Sequence, residues 1–206
     1  MWATRLSNPY QLSVIDMMVG PNDEVHLAVL HRDSLTSGDE LAPGSVSEDS
    51  IAVLVLDSTG NHLHMHTVFS SQNLENIGSL CSAYSGQTYL ATSFLELVSF
   101  GDHELTSSGG THVAVAQYNS GGWLWAKSAG GTSDASATDC DGRHDGGVAV
   151  VGDFLQNMTF GDLEIGPSVW VDFYEAHISD QGEWLHATGF GGGAADHAAA
   201  IHITEQ

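Results

Sequence analysis

Basic residues are nearly absent from this chain. Only 4 Lys+Arg stand against 26 Asp+Glu in 206 residues, a formal net charge of −22. Arg5, Arg32, Lys127 and Arg143 lie far apart, so no cluster exists to neutralise phosphates. That excludes nucleic acid as an expected partner and disfavours an anionic membrane surface. No run nears the roughly 18 uncharged apolar residues a bilayer span requires, and membrane insertion is not expected. The opening Met1-Trp2-Ala3-Thr4-Arg5 has no charged-then-apolar leader. The expectation is an intracellular chain, or an export signal lying outside this sequence. Cysteine is scarce as well: Cys81 and Cys140 make no disulfide framework for this length and leave the compartment open. No segment of ten or more residues holds a 3.6-residue apolar period free of turn formers, which predicts almost no helix.

What the chain does contain is regularity. Glycine is plentiful (24 of 206) and 42% of residues are apolar, as in a folded, turn-rich protein. Gly60-Asn61-His62-Leu63, Gly121-Gly122-Trp123-Leu124 and Gly182-Glu183-Trp184-Leu185 each open an apolar strand, and the first glycines are 61 residues apart both times. Ahead of each lies another apolar stretch: Ser50 to Leu56, His112 to Tyr118 and Trp170 to His177. Further upstream, Phe94 to Asp102 and Phe154 to Asp162 match at an offset of 60, and the first copy keeps Gly38-Asp39-Glu40-Leu41. The repeats run over about 10–71, 72–131 and 132–193 in one domain, 1–206. In the third copy, strands are expected at Ala137 to Asp141, Val148 to Phe154, Val169 to His177 and Trp184 to Gly189. Four short antiparallel strands recurring at this period form an all-β protein of β-propeller blades.

The string Phe100-Gly101-Asp102-His103-Glu104-Leu105-Thr106-Ser107-Ser108-Gly109-Gly110, continuing through Ala114 to Tyr118 and on to Gly121-Gly122-Trp123-Leu124-Trp125-Ala126-Lys127, resembles the bacterial β-propeller repeat known as the SBBP repeat. Copies two and three match well. Copy one lacks Phe before Gly38 and the Trp residues after Gly60. The resemblance implies an exported or surface-displayed bacterial protein, extracellular, at the cell surface or in the periplasm, with a binding role.

Trp2-Ala3-Thr4 aligns with Trp125-Ala126-Lys127, the last strand of a blade, and Ala198 to Ile203 aligns with the first strand Ser136 to Asp141. The expected count is three full blades with partial ones at 1–7 and 194–206. Such a chain is either a portion of a longer propeller or a unit that completes a ring with further copies of itself.

Two segments carry metal-ligand residue types. His62, His64 and His66 alternate along a strand, so their imidazoles stand in a row about 7 Å apart, where neighbours could share Zn²⁺, Ni²⁺ or Cu²⁺. The matching positions in the other copies are Trp123, Trp125 and Lys127, or Trp184, His186 and Thr188, which read as packing or surface sites. Asp139, Asp141 and Asp145 begin like a calcium loop, but the twelfth position is Val150 in place of Glu, and the segment also sits where a turn is due. Cys81 and Cys140 fall on equivalent first strands. They suit a redox pair, or simply small buried residues at a crowded centre, where a free thiol is ordinary. Trp123, Trp125, Trp170, Trp184 and Tyr174 could stack on sugar rings or pack between blades. No nucleophile elbow, zinc-protease helix motif or phosphate loop is present. The resulting expectation is a non-enzymatic binding or assembly module for protein or glycan partners, with no cofactor beyond a possible divalent cation such as calcium. The alternative is a polysaccharide hydrolase or lyase whose acid and base come from blade loops.

Overall fold

The computed structural model describes residues 3–10, 12–72, 74 and 78–204. They form strands and turns with no helix, and hence no helix long and apolar enough to cross a membrane. After β1 (Leu6–Ser7) come β2 (Leu12–Val19), β3 (Val25–His31), a small hairpin of β4 (Leu35–Ser37) and β5 (Glu40–Ala42), then β6 (Ser50–Leu56) and β7 (His62–Ser70). The next unit has β8 (Leu80–Ser82), β9 (Thr88–Phe94), the hairpin β10 (Leu97–Phe100) and β11 (His103–Thr106), then β12 (His112–Asn119) and β13 (Gly122–Ala129). The last has β14 (Ala135–Gly142), β15 (Val148–Phe160), β16 (Leu163–Ile178) and β17 (Trp184–Phe190).

Three large antiparallel sheets result, each a meander. Sheet I is β2-β3-β6-β7, extended by β10-β11 to six strands, sheet II is β8-β9-β12-β13 and sheet III is β14-β15-β16-β17; a small fourth sheet is β1-β4-β5. The connections expected near 71/72 and 131/132 fall between β7 and β8 and between β13 and β14. The four strands expected in the third copy are present, but the two middle ones are longer. Their ends, Phe154 onward and up to Ser168, pair with each other as a hairpin.

These hairpins tie one sheet to the sheet before it. β10 belongs to the second unit in sequence but pairs with β7 of sheet I, with Val98 opposite Ser70 and Phe100 opposite Val68. In the same manner β4 pairs with β1, and Thr159 of the third hairpin bridges Gly130 just past β13. Each hairpin turns on a Gly-Asp pair, Gly38-Asp39, Gly101-Asp102 and Gly161-Asp162, whose glycines take φ of 60°, 58° and 58°. That left-handed conformation suits glycine, which has no Cβ to clash. It also lets an indole close over the turn: Trp123 meets Phe100 edge-on at 5.0 Å, and Trp184 meets Phe160 likewise at 5.0 Å.

The core lies between sheets. Both faces of β9 and β12 are buried, so sheet II is covered on each side. Toward sheet I, Leu90, Ala114 and Ala116 meet Ala28, Val53 and Val55. Toward sheet III, Ala91, Val113 and Val115 meet Val148, Val150 and Ala176. Of the two readings open for the cysteines, the free-thiol one is corrected and the pair is formed: Cys81 of β8 and Cys140 of β14 are joined by a disulfide, with Cα atoms 5.9 Å apart. The two inner strands approach closely enough for the thiols to meet, something no spacing along the chain reveals.

The ends differ in kind. Trp2, aligned with Trp125, lies outside the described residues, and β1 just after it makes its pairing with β4. Ala198–Ile203, expected as an inner strand, carries no strand ladder. Its backbone is held instead by carboxylates of sheet III: Ala198 N donates to Asp153, Ile201 N to Asp139 and Ile203 N to Asp141 at 2.7–2.9 Å.

The Cys81–Cys140 bridge closes a separation of 59 residues across the joint of sheets II and III. Replacing both cysteines by alanine should lower unfolding free energy by about 2–4 kcal/mol, measured by urea denaturation of the oxidised wild type beside the variant. An unchanged midpoint would contradict the staple's role.

Candidate binding cleft at the joint of sheets I and II

Where the turns of sheets I and II come together, the joint opens into a cleft of about 400 Å³. The turn after β2 brings Pro21, Asn22 and Glu24, the turn after β8 brings Ser85 and Gln87, and the end of β12 brings Gln117 and Asn119. Its floor contains His26, His64 and Tyr118. No Lys or Arg lines it, and Glu24 is the one carboxylate among the lining residues.

Strand register explains this floor. His26 of β3 pairs with Val55 of β6, and Val55 with His64 of β7, so they form one cross-strand row; the next row carries Ala28, Val53 and His66. Both rows face sheet II. His26 is 4% exposed, and its Nδ1 lies 2.9 Å from the Tyr118 hydroxyl. Its Nε2 has no hydrogen-bond partner among the described residues. Burial outweighs the nearby Glu24 carboxylate and pushes the His26 pKa down to about 4, so the ring is neutral at pH 7. Burial also lowers His64 and His66 and raises the Tyr118 phenol.

Of the histidines singled out by sequence, His64 and His66 are neighbours, with ring centroids 5.0 Å apart. His66 packs against Tyr118 and Trp123. A bulge opposite Val55 and Leu56 breaks the even alternation at His62. Among the described residues, no three His, Cys, Asp or Glu side chains stand together as a group able to hold a metal ion. The acidic segment is also spoken for. Asp145 accepts from Arg143 Nε and Nη2 at 3.0 and 2.7 Å, while Asp139 and Asp141 hold the C-terminal segment, Asp141 meeting His202 as well. The guanidinium beside Asp145 holds its carboxyl down at about 2.

The aromatic candidates separate too. Trp123 and Trp184 close the hairpin turns, Trp125 donates to Asp180 O at 3.0 Å, and Tyr174 is buried with its hydroxyl on Ser136 O. Trp170 remains 56% exposed. On the outer face of sheet III, Glu175, His177, His186 and Arg143 form a cluster. His177 engages Glu175 through Nε2 and Arg143 through Nδ1, which leaves neither ring nitrogen free for proton transfer in this arrangement.

Glu24, His26 and Tyr118 drew no notice in the sequence. A usable signal existed: register sets His26 of sheet I level with Tyr89 of sheet II, so the first unit carries a titratable ring where the second has an aromatic phenol. Asp16 was also missed. A bulge between Val14 and Asp16 re-aims this carboxylate across the joint, where Oδ2 accepts from Leu80 N at 2.7 Å and Ser79 Oγ at 2.9 Å.

No protein-family model matches the chain, and a search of curated proteins finds no match.

Asp16→Ala should strand the Leu80 amide and cost about 1–3 kcal/mol in chemical denaturation, with Asp16→Asn losing less because its amide oxygen still accepts. Equal losses for the two substitutions would argue that the contact does not act through that acceptor.

Proposed function

We propose that this chain is a β-propeller-type binding module of an exported bacterial protein, and that the cleft between sheets I and II receives a neutral glycan. Three successive meanders with buried joints are what propeller blades of the SBBP kind would provide. The Cys81–Cys140 disulfide supports an oxidising compartment, extracellular, surface-attached or periplasmic. The observation that carries the ligand class is the lining of the cleft. Amides and hydroxyls from Asn22, Ser85, Gln87 and Asn119 offer both donors and acceptors, and Pro21 and Leu124 supply apolar rims for sugar C–H faces. With no cation in the lining and Glu24 at the mouth, uronate, sialylated and sulfated glycans are disfavoured. The single carboxylate also fits binding better than hydrolysis by a carboxylate pair.

A glycan array probed with the tagged chain tests this. Binding confined to neutral glycans, and weakened at least tenfold by Asn119→Ala with Gln87→Ala, is the expected result. Absence of binding, preference for anionic glycans, or release of shortened sugars on incubation would overturn it, the last in favour of a hydrolase or lyase.

A further inference from the structure

The joints on the two sides of sheet II are built from different chemistry at matching positions. On the side of sheet III, register sets Tyr89, Gln117 and Trp125 in one row, none of which charges between pH 4 and 8, and the Cys81–Cys140 bridge locks the inner strands. On the side of sheet I, the matching row is His26, Val55 and His64, with His66 in the row beside it. The positions matching the two cysteines are Met18, opposite His26 as Cys81 is opposite Tyr89, and Leu80, opposite Leu90 as Cys140 is opposite Val150. No covalent link crosses that joint. Instead it is closed by apolar contact, by the hairpin β10–β11 on β7, and by the Asp16 carboxylate.

We infer that the joint of sheets I and II is an acid-released hinge: protonation of its histidines parts these two sheets while sheets II and III stay together. The physical basis is the mismatch between the rings and their seats. His26 and His66 each have a buried Nε2 without a partner, and His26 hands its other nitrogen to the Tyr118 hydroxyl. The protonated form of either ring would carry a charge and an Nε2–H with no acceptor in place; for His66 the Asn119 backbone favours the charged form, but burial outweighs it. The groups around His26 do little to soften this. On sheet I, His64 and His66 repel an added charge and Glu24, at the cleft mouth, is the one favourable neighbour; Asp16 is committed to Leu80 and Ser79. From sheet II the facing titratable group is the uncharged phenol of Tyr118.

The direction follows from linkage. His26 titrates at about 4 when closed and near 6.5 when exposed, so the open state binds more protons across that window and gains as pH falls from about 6.5 toward 4. Between pH 7.5 and 5, His26 alone favours opening by roughly 30-fold. His64 and His66, shifted the same way, add to it. This inference stands apart from what the cleft binds.

Amide hydrogen exchange on the intact oxidised chain, corrected for intrinsic rates, is the test. Between pH 7.5 and 5, β3, β6 and the sheet I face of sheet II should lose protection by 30-fold or more, whereas β14–β17 should keep theirs. His26→Gln, neutral at every pH, should cut the acid response by at least tenfold, and His26→Gln with His64→Gln and His66→Gln should abolish it. Uniform loss across all three sheets, no loss at pH 5, or a full acid response in a His26→Gln chain folded at pH 7.5 would each overturn the hinge. Should that variant fail to fold at pH 7.5, the contrast between the two joints in the wild type decides by itself.

Discussion

Sheets with apolar side chains on both faces cannot stand alone in water, and that requirement organises this molecule. The two central strands of sheet II, β9 and β12, are buried on both sides, so the stability of the sheet is lodged in the two joints it makes rather than in its own ladder. The other features serve those joints. Hairpins reach back to pair with the preceding sheet, indoles close over their glycine turns, and bulges redirect Asp16 to cap an amide across the gap. Even the segment 196–203, without a ladder of its own, is held by carboxylates of the sheet it lies on.

Because the joints share one geometry, their differences stand out. The II–III joint has a disulfide, a phenol and an indole. The I–II joint has imidazoles, a thioether and a leucine at corresponding sites. One is fixed covalently and indifferent to pH near neutrality; the other depends on three rings remaining uncharged. The cleft opens at the second, so the most variable chemistry and the candidate ligand site coincide.

Much of this architecture could be read from the chain. The 61-residue glycine spacing located the last strand of each unit, and the apolar stretches Ser50 to Leu56 and His112 to Tyr118 marked strands. The Phe-Gly-Asp strings showed only as a match at an offset of 60; that they are hairpin turns and that the strands are covered on both faces came from the structure. What escaped was everything set by one unit meeting the next. Periodicity describes a strand's own faces; it does not say that a hairpin belongs to the preceding sheet. Nor does it tell that Cys81 and Cys140, on separate strands, touch. The cleft was hidden for the same reason: its lining comes from turns near residues 22, 86 and 119, which converge only after the sheets stack. His62, His64 and His66 attracted attention as a local row, yet their surroundings are set by His26 from another strand and Tyr118 from another sheet.

The stacking register is the claim on which the rest stands, and a designed crosslink reads it directly. Met18→Cys with Leu80→Cys places thiols on the I–II joint where the native bridge sits on the II–III joint. Peptide mapping of the air-oxidised chain should find the pairs 18–80 and 81–140 together, with a raised unfolding midpoint. A free thiol at residue 18, or its capture only by partners elsewhere, would show that sheets I and II do not meet in this register.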